Sequence, residues 1–417
     1  MNRRSFLRAS ARLAAATAAA GPVLWTPAAQ AKAAPTAHDA YFSKLNAMLK
    51  REGPGRPVML MDTARMHHNI DRLTASVGAG KQYRIVVKSL PSVPLLDAVR
   101  RRAKTEALMV FHQPFLNAVA EAFPRADALL GKPMPVAAAR TFYNALGPGR
   151  FDPATQVQWL IDSPERLLQY QALAHTLGVK MRLNFEIDVG LHRGGFAEPE
   201  ALSAALATVA ADPAHLSVSG LMGYEPHLTG LQADLKHPEV RKVLGRYAGF
   251  LDRLRAAGLD PETLTLNGAG SHTLKIYEKD RTFNDLSAGS GVVMPTDFDT
   301  YHLADHQPAL FIAAPILKRY RQNPFMAEAP ASMAQIYYLY GGYWKAKMAS
   351  PAVVGEPIYQ STNQTPISAA ADVDLDVDDY MFLRPTQSEA VMLQFGDLLP
   401  VTDGVIAGRW PVFHQTG

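Results

Sequence analysis

Cysteine is missing from the chain altogether, which removes disulfides, thiolate nucleophiles and cysteine-held metals from consideration. The absence suits an oxidising compartment. Charge is also sparse: 19% of the 417 residues are Asp, Glu, Lys or Arg, and the net charge is only +4, part of it in the first eight residues. Nothing in that balance calls for a nucleic acid or a membrane surface as partner. The alanine-rich stretch near the N-terminus is too short and too weakly apolar to span a bilayer. What remains is an ordinary apolar fraction of 48%, enough for one large domain and a smaller one, with no internal repeat.

The N-terminus reads Asn2-Arg3-Arg4-Ser5-Phe6-Leu7-Arg8, followed by the mild apolar stretch and by Ala29-Gln30-Ala31, a small-x-small cleavage site. This resembles a twin-arginine export signal. The expectation is a signal peptide over residues 1–34, with the mature chain starting near Lys32. Its partner during export would be the twin-arginine translocon. The protein would work in the periplasm, with no membrane attachment after cleavage.

Beyond the leader, residues 36–52 read as a short helix, 57–62 as a buried strand, and 63–77 as a helix with Met66, Ile70 and Leu73 on one face. An alternation then begins. Short apolar strands are expected at 83–88, 106–111, 126–131, 156–161, 181–187, 216–222, 263–267 and 284–288, with helices at 94–102, 114–122, 164–177, 198–210 and 238–257 between most of them. Eight such strands suit a (β/α)8 barrel over residues 57–295, with a doubly wound open sheet as the competing architecture. From about residue 296 to 417 the segments 308–317, 336–340, 380–383, 390–395 and 398–401 are β-prone and separated by turn residues, which predicts a C-terminal β domain; the 36–60 segment is open to inclusion in it. Asp374, Asp376, Asp378 and Asp379 lack the glycine and closing glutamate of a calcium loop and read as a solvated edge or turn.

In either architecture, sites gather at the carboxyl ends of the strands, and Lys88 stands at the first of these, after Tyr83-Arg84-Ile85-Val86-Val87. A half-buried amine at such a position suits a Schiff base with a carbonyl cofactor; the plainer reading is a lysine closing a strand. Two glycine–serine turns, Gly268-Ala269-Gly270-Ser271 and Gly289-Ser290-Gly291, follow the last strands, where bare backbone amides can wrap a phosphate. Together these features point to pyridoxal 5'-phosphate.

Pro57 to Asp62 with Asn69-Ile70, Arg84 to Lys88, Asp188-Val189-Gly190-Leu191-His192-Arg193-Gly194-Gly195 and Gly223-Tyr224-Glu225-Pro226-His227 resemble, in that order, the D-threonine aldolase and eukaryotic-type D-serine dehydratase family. These are fold-type III pyridoxal phosphate enzymes, similar in architecture to alanine racemase. The resemblance implies a barrel followed by a β domain, a homodimer, and a small D-amino acid substrate, a β-hydroxy one in the family's pattern of aldol cleavage or dehydration. It implies the cofactor on Lys88, with Arg193 and Tyr224 near its ring or oxygen substituents, and its phosphate at Gly268, Ala269, Gly270, Ser271, Gly289 and Ser290.

The family's metal pair, His-x-Cys or His-x-Asp, falls on Gln387 and Glu389 in this chain, so the usual divalent metal is not expected. Without it, His227 is the first candidate for the base, with His302, His306 and Glu389 as alternatives. The readings that rival a lyase are an amino-acid racemase, with Lys88 and a tyrosine as its two proton carriers, and a cofactor-binding protein without turnover.

Overall fold

A computed structural model describes residues 38–352 and 354–414. The expected leader over 1–34 lies outside the described residues, and none of the helices within them is long and apolar enough to cross a membrane.

Eight parallel strands close into a barrel: β2 (Gln82–Val86), β3 (Ala107–Val110), β4 (Asp127–Leu130), β5 (Val157–Ile161), β6 (Met181–Glu186), β7 (Leu216–Met222), β8 (Thr265–Gly268) and β9 (Asp285–Ala288). Pairing of β9 back onto β2, from Gln82 opposite Asp285 to Ile85 opposite Ala288, seals the ring and rules out the open doubly wound sheet. Helices α3 (Val93–Ala103), α4 (Gln113–Ala122), α5 (Val136–Ala145), the short α6 (Pro153–Gln156), α7 (Pro164–Leu177), α8 (Pro199–Ala210) and α9 (Pro238–Ala256) lie between them in the chain. Before them come α1 (Ala40–Glu52), the first strand β1 (Val58–Asp62) and α2 (Thr63–Val77). Asp62 accepts a hydrogen bond from the Arg65 amide at 2.9 Å and caps α2, whose Met66, Ile70 and Leu73 are buried at helical spacing.

The second sheet contains β10 (Leu310–Tyr320), β11 (Gln335–Tyr340), β12 (Ala346–Ser350), β13 (Gln364–Ala369), β14 (Tyr380–Pro385), β15 (Asp397–Thr402), β16 (Val405–Ile406) and β17 (Trp410–Pro411). Its spine runs β12-β14-β10-β1-β15-β16, so β1 is a strand of this sheet, antiparallel to β10 and parallel to β15. Phe42, Leu45, Met48 and Leu49 of α1 bury against Val58, Leu60, Phe311 and Phe382 of the same sheet. At roughly 2 kcal/mol per buried large apolar side chain, that contact anchors the N-terminal segment to the C-terminal one.

One expected β segment is a helix. Residues 390–395 are occupied by α10 (Ser388–Met392) and the turn after it, because Ser388, Val391 and Met392 are buried at i, i+3, i+4 spacing rather than alternately. The acidic cluster serves the edge of the sheet: Asp374 and Asp376 face Arg319 at 3.2 and 3.7 Å, and Asp379 pairs with Lys50 at 2.7 Å.

The lower barrel interior is polar and hydrogen-bonded within itself, except that Asn184 Oδ1 is buried without a partner. Arg84 is fully buried, donating to Asp285 at 2.8 Å and Asp127 at 2.6 Å; those two carboxylates hold its charge against the cost of burial. Gln158 links Asp127 to Asn184, and Asn267 links Asp285 to Ser287. This layer forms the floor beneath the site at the other end of the strands.

Candidate active site

A cavity of ≈ 260 Å³ opens at the carboxyl ends of the barrel strands. Lys88 lines it from a one-turn 3-10 segment, Val87–Ser89, rather than from the strand itself. The strand was expected to run to Lys88, but the backbone leaves the ladder at Val86 and closes a turn in which the Leu90 amide donates to the Val87 carbonyl at 3.0 Å. That turn swings the Lys88 ammonium over the Phe111 ring, 5.1 Å from its centroid.

Across the cavity stands Glu389 of α10. Lys88 Nζ donates to Glu389 Oε1 at 3.0 Å, and Ser89 Oγ donates to Glu389 Oε2 at 3.1 Å. Beside it, Gln387 Nε2 donates to Asp297 Oδ2 at 2.7 Å. Both positions of the family's metal pair therefore carry oxygen or amide groups already engaged by protein partners.

Arg193 is presented by a loop built on Asp188, whose carboxylate accepts from the amides of Gly190 and His192 and from His192 Nδ1 at 2.9, 3.0 and 2.7 Å. Those hydrogen bonds hold the Asp188 carboxyl below the usual range despite the opposing effect of burial. The Arg193 guanidinium lies 5.1 Å from the Tyr224 ring centroid and 3.9 Å from the buried Glu186, whose carboxyl is pushed up by burial. Burial likewise raises the Tyr224 phenol to about 12, so it stays neutral at physiological pH.

The two glycine–serine turns are tied together. Ser271 Oγ accepts from the amides of Gly289 at 3.2 Å and Gly291 at 3.0 Å. Ala269 holds a left-handed backbone, φ 68°, and a Cβ on Gly270 would stand 2.8 Å from the Tyr224 ring. A Cβ on Gly289 would stand 2.8 Å from Ser89. Neighbouring side chains leave no room for a Cβ at either glycine, so both turns line the cavity with bare backbone, a surface that suits a bound phosphate group. Beneath the cradle, the Gly270 amide donates to Thr273 Oγ1 at 3.0 Å, and that hydroxyl donates to Glu225 Oε1 at 2.6 Å. Glu225 is fully buried, which raises its carboxyl to about 7, and its second oxygen has no hydrogen-bond partner.

Of the residues expected at the site, Lys88, Arg193, Tyr224, Ala269, Gly270, Ser271, Gly289 and Ser290 line the cavity together. Gly268 and His227 do not. Gly268 is packed under Phe283, 2.5 Å from where a Cβ would sit, so its smallness serves the barrel wall. His227 lies exposed on a 3-10 turn, Pro226–Leu228, beside Gly190 and outside the cavity wall. His302 and His306 are also absent from the lining. Phe111, His272 and Phe298 are wall residues that sequence reasoning did not single out; Phe111 follows the second barrel strand, where the strand-end rule applied to Lys88 would have found it. His272 stacks on Phe298 with centroids 4.2 Å apart.

A closed parallel barrel joined to a mixed β sheet, with a lysine at the first strand end and glycine–serine turns at the last two, defines the alanine racemase-like architecture. The alanine racemase N-terminal domain family matches residues 61–296, more than half of the chain. The chain belongs to that family, among the fold-type III pyridoxal phosphate enzymes, which include lyases and racemases. Similar solved structures include a D-threonine aldolase from Filomicrobium marinum (TM-score 0.70, 15% identity, covering 86% of this chain and 96% of that one). A D-threo-3-hydroxyaspartate dehydratase from a Delftia species aligns with TM-score 0.68 and 17% identity over 86% of this chain and 97% of that one. Alanine racemase from Bacillus anthracis aligns with TM-score 0.67 and 13% identity over 85% and 97%. Among curated protein sequences, none matches the chain.

Proposed function

We propose that the protein is a pyridoxal phosphate-dependent lyase acting on a small D-configured β-hydroxy amino acid, by aldol cleavage or dehydration. The observation that carries this reading is the 3.0 Å contact between Lys88 and Glu389, which puts a carboxylate within reach of the group that would meet the substrate amine. The cofactor, when bound, supplies an electron sink for the bonds at the substrate's α carbon.

The chain's own residues supply the rest. Lys88 would hold the cofactor and carry a proton to or from the α carbon. The turns at 269–271 and 289–290 would hold the phosphate, and Arg193 with Tyr224 would flank the ring. Glu389 stands where the family pattern places a metal ligand, and takes the proton of the substrate β-hydroxyl in aldol cleavage or gives one to it as it leaves in dehydration. His227 lies outside the cavity, and the proposal gives that role to Glu389.

Racemisation is the second reading, and Tyr224 is the cavity tyrosine available for it. Burial raises that phenol to about 12 and keeps it protonated, so it can give a proton on its face of the cofactor. The proposal includes a homodimer, as in the family pattern, and export to the periplasm by the twin-arginine route.

The test is product analysis with D-threonine and L-threonine. Glycine with acetaldehyde identifies aldol cleavage, and 2-oxobutanoate with ammonia identifies dehydration, in both cases from the D isomer. Conversion of D-threonine to L-allo-threonine, its epimer at the α carbon, without carbon–carbon or carbon–oxygen cleavage would replace the lyase by a racemase.

A further inference from the structure

A separate cluster lies at the other end of the barrel. His175 Nε2 approaches Asp212 Oδ2 at 2.7 Å, and His215 Nδ1 approaches Asp212 Oδ1 at 2.9 Å. The two imidazole rings stand side by side, centroids 3.8 Å apart and tilted by 33°, each facing one oxygen of a single carboxylate. Among the described residues this is the group whose His, Asp or Glu donor atoms, all within 4.8 Å of one another, are close enough to share an ion.

We propose that His175, Asp212 and His215 form a structural site for a divalent transition metal, with zinc as its natural occupant. Two neutral imidazoles and one carboxylate are a borderline donor set of the kind zinc, nickel and copper prefer over calcium or magnesium. Tetrahedral zinc with bonds of about 2.0–2.1 Å needs its ligand atoms roughly 3.3 Å apart, so the present contacts open by about half an ångström as the ion enters. His175, whose side chain is 52% exposed, supplies that movement and leaves a fourth position to water.

The scaffold for the site is already fixed. Gln171, one turn before His175 on α7, donates to Asp212 Oδ2 at 2.9 Å and orients the carboxylate as an outer partner. The Asp212 carbonyl accepts from the His215 and Leu216 amides at 3.2 and 2.9 Å, which locks the turn leading into β7. The ion would join the last turn of α7 to the connection between α8 and β7. That connection enters the amino end of β7, whereas the Lys88 cavity opens at the carboxyl ends of the strands, so the metal stabilises the barrel and takes no part in the chemistry.

The experiment uses tag-free, full-chain protein stripped with chelator, then dialysed against micromolar zinc chloride, with metal content and Tm measured. One zinc per chain and a rise in Tm that saturates at one equivalent are expected. The His175→Ala/His215→Ala double variant loses both effects, Gln171→Ala weakens zinc binding by about tenfold or more, and Glu389→Gln leaves both effects intact. Absence of retained zinc, or zinc that survives in the double histidine variant or disappears with Glu389→Gln, overturns the proposal and leaves the cluster as hydrogen bonds around Asp212.

Discussion

Lys88 and Glu389, 301 residues apart in sequence, meet at 3.0 Å across the cavity and so join the barrel to the β domain at the candidate active site. Neither side chain is deeply buried, at 43% and 31% exposed, so the pair contributes little to stability. Its effect is on the chemistry. Glu389→Gln is expected to lower turnover of a D-β-hydroxy amino acid by about 10²–10⁴-fold while leaving Tm nearly unchanged. Steady-state kinetics beside a thermal melt check this, and retained turnover would remove Glu389 from the reaction.

The proposed metal-free reaction has a consequence for chelators. Because Gln387 is held by Asp297 and Glu389 by Lys88 and Ser89, EDTA is expected to leave turnover unchanged. Chelation would still lower Tm through the His175 cluster. Loss of turnover restored by added manganese or zinc would show that the 387 and 389 positions do bind an ion.

The phosphate cradle depends on bare backbone. A Cβ at Gly270 meets the Tyr224 ring at 2.8 Å, so Gly270→Ala must displace either the ring or the turn. The expected result is weaker cofactor binding, by about tenfold or more, with secondary structure intact; titration of the apoprotein with pyridoxal phosphate measures it.

Glu225 gives the fold a pH dependence. Burial raises its carboxyl to about 7 from the ordinary 4.5, so the folded chain holds this proton more tightly than the unfolded one between those values. Its contribution is therefore most favourable below pH 4.5, falls as the pH rises to about 7, and is level above that, a change of about 3 kcal/mol. Glu225→Gln removes the slope, and the variant should gain on the wild type in denaturant melts at pH 8 relative to pH 5. Parallel pH profiles for the two proteins would contradict it.

At the barrel floor, Asp285→Ala removes one of the two carboxylates that hold the buried Arg84 charge and leaves it with Asp127 alone. A loss of about 3–5 kcal/mol is expected, measured by urea unfolding. A similar loss from Asp285→Asn would show that the charge, rather than the hydrogen bonds, is what Arg84 requires.

Much of this fold was legible because strand and helix periods alternate cleanly from residue 82 onward. The helices at 63–77 and 164–177 coincide with their expected bounds, since Asp62 and Ser163 cap them and the chain turns at Gly78 and Gly178. Helix α5 was missed because no side chain caps its start and no proline stands in its first turn to mark it. Eight of the ten site residues converge on the cavity because strand ends of a barrel converge by topology. What local sequence cannot carry is direction and distance: the turn that points His227 outward, and the pairing of Glu389 with Lys88.

The most direct test of the account is the absorption spectrum of the purified protein and its Lys88→Ala variant, each reconstituted with pyridoxal phosphate and then mixed with D-threonine or L-threonine. The account predicts a yellow, borohydride-trappable cofactor band in the wild type that only the D isomer perturbs, and no trapped cofactor in the variant. A trapped cofactor in Lys88→Ala, or no band in the reconstituted wild type, would contradict the assignment of Lys88 on which the rest depends.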